Sequence, residues 1–325
     1  MTYDAAALKA VLANAARLAP VERVSLLADQ WAQVRAGGPL QPQLDLLDTL
    51  GRDSQRTVLE TVIAQLATLD DVVVSDADRA KQQAWVRGLL GERAKATGLD
   101  PGASEDPDTQ LLRPRLVDAM ARLGEDTALR ADLNGRLMQW LANSAKGSLP
   151  NSLIGVALRL SAQRGDAALW TQFQRRMLSS HAPEEHDRFM VALGAFEAPE
   201  LIDRTLALSL TDDIRSQDLQ ILMGQLLANP AARRATWSFL TRSWAAIARK
   251  APVFGLRRIL GATASLVDEK LRHEVADFFA DPGHHVEAGE RELKQALEAI
   301  DLSLGLRARE RENLGTWLSG REGSK

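Results

Sequence analysis

Apolar residues recur along this chain at three- and four-residue spacing, and short polar, glycine or proline breaks interrupt them. The middle third shows the pattern best. Leu153, Val156, Ala157 and Leu160 form one apolar stripe, after which Gly165-Asp166 breaks and recaps the chain. Leu169, Trp170, Phe173 and Met177 form the next, closed by residues 179–183. Phe189, Met190 and Leu193 follow before Gly194, and Leu201, Ile202, Thr205 and Leu208 follow Pro199-Glu200. This is the period of amphipathic helices in close succession. A short hairpin of such helices cannot bury its own apolar face, so each leans on the next. The predicted fold is all-α, an α-solenoid of stacked helical hairpins of HEAT/armadillo type.

The same reading predicts helices on both sides of that stretch. Residues 4–19 carry the stripe Leu8, Val11, Leu12 and Ala15; the next helix starts at Pro20 with Val24, Leu27, Trp31 and Val34 and stops at Gly37-Gly38. Further helices are expected over 44–50, 58–69, 78–98, 111–123 and 129–141, then 215–228, 231–250, 254–266 and 268–280, with one or two over 287–317. Val72-Val73-Val74 is the sole run of three valines, read as a helix end because no second strand exists to pair with it. The polar loop near 99–109 is read as an elbow between adjacent helices and not as a domain linker. Residues 1–325 are thus expected to form one solenoid domain, with a frayed tail at 319–325.

Composition narrows the function classes. The chain has 325 residues, and 40 basic against 43 acidic ones leave a net charge of −3, without the positive field that nucleic acid requires. There is no cysteine, hence no disulfide framework, thiolate nucleophile or Cys-based metal site. No signal peptide is read at the start, and no apolar run reaches the ~18 residues of a membrane span. A soluble protein is expected; the compartment stays open on these grounds, with the cytoplasm favoured.

Several phrases, in this order and spacing, resemble the C-terminal helical domain of the aminopeptidase N family of zinc metallopeptidases, which includes the puromycin-sensitive and endoplasmic-reticulum aminopeptidases. They are Pro20-Val21-Glu22-Arg23 with Leu26-Leu27-Ala28-Asp29 and Ala36-Gly37, then Leu111-Leu112-Arg113 with Leu123-Gly124-Glu125-Asp126. Asp218, Asn229-Pro230, Ala235-Thr236-Trp237-Ser238-Phe239-Leu240 and Trp244 follow, then the helix ending in Phe278-Phe279, Ala296-Leu297-Glu298-Ala299-Ile300 and Trp317-Leu318. Leu306 departs from the family, which often has tryptophan there. The family's Gly-Ala-Met-Glu-Asn and His-Glu-x-x-His motifs do not occur in this sequence. The resemblance therefore implies a non-catalytic domain, excised or reduced, that walls the active-site chamber and controls peptide access. Its partners would be the catalytic domain of a parent enzyme and peptide substrates. No cofactor is expected in this chain, zinc belonging to the absent catalytic domain. The alternative is a free-standing HEAT-like scaffold that binds a protein partner.

Individual residues add little chemistry. His273-Glu274-Val275-Ala276-Asp277 falls one residue short of a zincin helix, and His273 with Asp277 reads as a solvated i, i+4 pair. His284-His285-x-Glu287 reads as a solvated loop, and His181 and His186, on either side of Pro183, as capping or surface groups. No catalytic or metal residue is assigned. Arg257 and Arg258 are the candidates for peptide binding, since in the resembled family this domain's concave face meets peptide, and a guanidinium suits a carboxylate through paired hydrogen bonds. The seven tryptophans are expected to pack between hairpins.

Overall fold

The computed structural model describes residues 10–11, 13–143 and 149–322, and within them the chain is all-helical, without strands. It divides into two compact units, one running to Val156 and resuming at Gly305, the other comprising Ala157–Leu304. The first unit holds α1 (Pro20–Arg35), α2 (Gln41–Leu50), α3 (Arg56–Val72), α4 (Arg79–Thr97), α5 (Pro107–Arg122) and α6 (Thr127–Ala142). Helix α7 (Asn151–Gln163) leads into the second. That unit holds α8 (Ala167–Ser179), α9 (Pro183–Leu193), α10 (Pro199–Ser209), α11 (Leu219–Ala228), α12 (Arg233–Arg242), α13 (Trp244–Lys250), α14 (Val253–Ala262) and α15 (Glu269–Ala280). A long last helix, α16 (Glu290–Glu322), gives residues to both units.

Punctuation in the sequence sets these boundaries. Asp106, Asp126, Asp166 and Asp268 each accept the backbone N–H three residues on, at 2.9–3.0 Å, and so cap α5, α6, α8 and α15. Proline stands in the first turn of α1, α5, α9 and α10, where its missing N–H costs nothing. Gly98 closes α4 in the left-handed region at φ +63°, a conformation that favours glycine.

Packing follows the stripes. In the first unit, α1 lies on α2 and α3, and α5 on α3 and α4, around Leu27, Leu44, Leu59, Leu66, Val86 and Leu116. In the second unit α8 packs on α9 and α11 on α10 and α12; α9, α11 and α14 lie side by side, and α10 lies against α12. Phe173, Phe189 and Phe196 meet edge to face at 5.5 and 5.9 Å at its start.

The structure corrects four boundaries. The helix expected over 231–250 is two, because Ser243 leaves helical geometry at φ −109° and ψ 14°, and its carbonyl starts α13. The bend keeps Trp237 and Trp244 both on Phe278 and Phe279, with centroids 5.3–6.3 Å apart. Helix α11 begins at Leu219 instead of 215, because Arg215 to Asp218 is a turn. The 254–266 helix ends at Ala262 in a 3-10 turn. The expected fraying at 319–325 is not seen at 319–322, where α16 continues: Lys81 donates to the Ser319 hydroxyl at 3.0 Å and Arg321 pairs with Asp48 at 2.5 Å. Residues 323–325 lie outside the described residues, as does the first part of the helix expected over 4–19; Ala15–Arg17 form a 3-10 turn. The elbow at 99–109 joins α4 to α5, which pack on one another.

Candidate functional site

Helix α14 carries both candidate arginines. Gly255, Leu256, Ile259 and Leu260 bury its inner face, and α11 packs against it. The outer face leaves Val253 and Phe254 exposed, Phe254 at 52% of its surface. Arg257 sits at the edge of that face and donates from Nε to Glu292 on α16 at 3.0 Å, with a second, shorter bond from Nη2. That double donation raises the Arg257 pKa and holds the Glu292 carboxyl below its ordinary range. Arg258 is exposed and has no ion-pair partner among the described residues. The two arginines thus part company: Arg257 ties α14 to α16, whereas Arg258 presents a guanidinium one turn after an exposed aromatic ring.

Arg272 makes a second tie of the same kind, its Nε and Nη2 both 2.9 Å from Asp301, whose pKa it lowers. A depressed carboxyl pKa lends stability above the unfolded carboxyl range, and that stability is lost as pH falls through the folded value. The second unit is therefore expected to loosen below about pH 4, and Glu292→Gln with Asp301→Asn to flatten the acid limb of its unfolding curve. Asp70 in the first unit has the opposite sign, because burial raises its pKa despite Arg79 nearby. Tryptophan fluorescence and hydrogen exchange against pH check both.

The histidines hold no zincin geometry. His273 is exposed and its Nδ1 donates to the Glu269 carbonyl at 2.7 Å; Asp277 is exposed as well. His284 is not simply solvated: it stacks on Phe278 at 3.8 Å and donates from Nδ1 to the Phe278 carbonyl at 2.9 Å, closing α15. His285 is exposed. His186 meets Asp187 and Asp218, a neighbourhood that sequence spacing did not suggest.

The phrases singled out in the sequence are largely interhelix locks. The Asn229 amide donates to the Gly194 and Phe196 carbonyls at 3.1 and 2.9 Å, so the Asn-Pro turn holds the chain end of α9. Trp170 donates from Nε1 to the buried Thr205 hydroxyl at 2.8 Å, and Trp237 to Glu274 at 2.9 Å. Five of the seven tryptophans are buried, and Trp31 and Trp317 are half-buried. Trp31 and Val24 line an open groove of about 580 Å³ between α1 and α3, whose one acidic group, Glu60, pairs with Arg56 at 2.9 Å.

Comparison with known proteins decides the family. The family described as the ERAP1-like C-terminal domain matches residues 1–302. The chain belongs to that family. Among curated relatives, aminopeptidase 2 of Candida albicans is 24% identical over 95% of this chain and 34% of its own length. Alanine/arginine aminopeptidase of Saccharomyces cerevisiae is 24% identical over 96% of this chain and 37% of its own. Human endoplasmic reticulum aminopeptidase 2 is 22% identical over 94% and 32%. The chain thus spans about a third of the length of these relatives. No helix among the described residues is long and apolar enough to cross a membrane.

Proposed function

We propose that this chain is the non-catalytic C-terminal domain of a zinc aminopeptidase, walling the chamber in which peptides lose their N-terminal residues and filtering which peptides enter. One observation carries the reading: a domain family named for aminopeptidase C-termini covers 302 of 325 residues, and the sequence lacks any His-Glu-x-x-His helix. Zinc and the water-activating glutamate then belong to the remaining two thirds of the enzyme. The side-by-side helices α9, α11 and α14 are what a solenoid wall would require. On that wall Arg258, with Phe254 beside it, meets the carboxylates of peptides, and Arg257 fixes the local backbone through Glu292.

The chain alone is expected to hydrolyse no aminoacyl substrate. Added to the catalytic part of an aminopeptidase, it should change turnover of long peptides relative to single aminoacyl amides. Arg258→Ala should shrink the preference for free over amidated C-termini by about fivefold, the worth of one exposed charge-assisted contact. Turnover by the chain itself, or a selectivity that ignores its presence, would refute the reading.

A further inference from the structure

We infer that His186, Asp187 and Asp218 form a divalent transition-metal site between α9 and α11, and that the Arg215 guanidinium fills it when no metal is bound. Each residue offers one ligand atom, and the three atoms lie within 4.8 Å of one another. His186 Nδ1 and Asp187 Oδ1 are 3.1 Å apart, the separation of adjacent ligands that stand ~2.0–2.2 Å from a zinc ion. Imidazole with two carboxylates suits zinc, cobalt or nickel and leaves calcium and magnesium poorly served.

Asp218 carries the argument further. It stands at the N-cap of α11, yet its side chain makes no capping bond, unlike Asp106, Asp126, Asp166 and Asp268. Its carboxylate is turned towards the cluster and is only 6% exposed, so it requires a positive partner there. Arg215 supplies one: Nε pairs with Asp218, and Nη2 lies 3.6 Å from Asp187. Two acids sharing a single cation mark where a cation belongs. The Arg215 side chain is half exposed and can swing out, and Asp187, at 47%, leaves a way in from solvent. Bound metal would then join α9 to α11 more rigidly than the guanidinium does.

Titration of the full chain with ZnCl2, followed by calorimetry and thermal unfolding, tests this. One zinc per chain should bind and raise the unfolding temperature. His186→Ala should weaken binding by roughly 100-fold, the upper end of what even a second-shell change costs. Arg215→Gln should tighten it severalfold by removing the competing cation, a gain that a purely structural role for Arg215 does not produce. The double variant His284→Ala, His285→Ala should bind as the parent does. No saturable binding, binding indifferent to His186→Ala, or weaker binding in Arg215→Gln would overturn the assignment; loss in the His284/His285 variant instead would place the zinc in that loop and overturn it too.

Discussion

A chain ending at Leu304 should fail to fold its first unit while the second stays ordered. Residues 305–322 of α16 contribute Leu306, Leu314 and Leu318 to the core of that unit, each 3% exposed or less. Truncating one such leucine costs about 2–5 kcal/mol, so losing all three rivals the ~5–15 kcal/mol that holds an entire domain together. The same segment caps two other helices. Arg307 donates to the Val72 carbonyl at 2.7 Å and Arg311 to that of Val73 at 3.3 Å, at the end of α3. Arg309 donates to the Val34 carbonyl at 3.3 Å, in the last turn of α1. The Val34 carbonyl also accepts the Gly37 N–H at 3.1 Å, and all three carbonyls sit at the negative ends of their helices, where a guanidinium is favoured. Trp317 adds an edge-to-face contact with Trp85 at 4.8 Å, and Arg321 lies over the Trp317 ring. Hydrogen exchange on the shortened chain should show fast exchange over 20–122 and continued protection over 167–280. Protection that survives equally in both regions would mean the α16 contacts are dispensable. The milder Leu314→Ala should lower the first unit's unfolding midpoint without touching the second.

That dependence was not legible in the sequence, although much else was. Helical period and aspartate or proline punctuation placed the helices in order, because both act locally: Asp166 caps α8 and Pro183 starts α9 with partners a few residues away. The break at Ser243 was missed because its cause is tertiary. Trp237 and Trp244 keep an unbroken apolar spacing, and only their shared contact with Phe278 and Phe279 requires the bend. Within the stretch read as a frayed tail, Ser319 and Arg321 have partners more than two hundred residues away, Lys81 and Asp48. Among the candidate residues, the sequence placed Arg257 and Arg258 on one helix but offered no means of telling them apart. Glu292, which engages only the first, lies 35 residues on in another helix. The Arg215, Asp187 and Asp218 cluster was hidden for the same reason, since α10 intervenes between its halves.

Arg113→Ala should cost about 3–5 kcal/mol, the usual consequence of leaving a buried charge without its partner. Arg113 is 1% exposed, on α5, and reaches back over the elbow. It donates from Nε to the Gly98 carbonyl at 3.2 Å, from Nη2 to that of Thr97 at 3.4 Å, and pairs with Glu105, itself only 10% exposed. One guanidinium thus satisfies the end of α4 and the middle of the loop together. A lysine has no fork with which to serve three acceptors, so Arg113→Lys should recover only part of the loss. The pair's net worth is a separate matter, because burying two charges is costly in itself. Arg113→Met combined with Glu105→Leu should therefore be less damaging than Arg113→Met alone, and urea titrations of the four chains give the coupling directly. Additive losses would show that the two side chains do not act as a pair. Coupled losses, with faster exchange confined to 98–106 in Arg113→Ala, would show that a loop with the composition of a linker is held as part of the core by a single buried arginine.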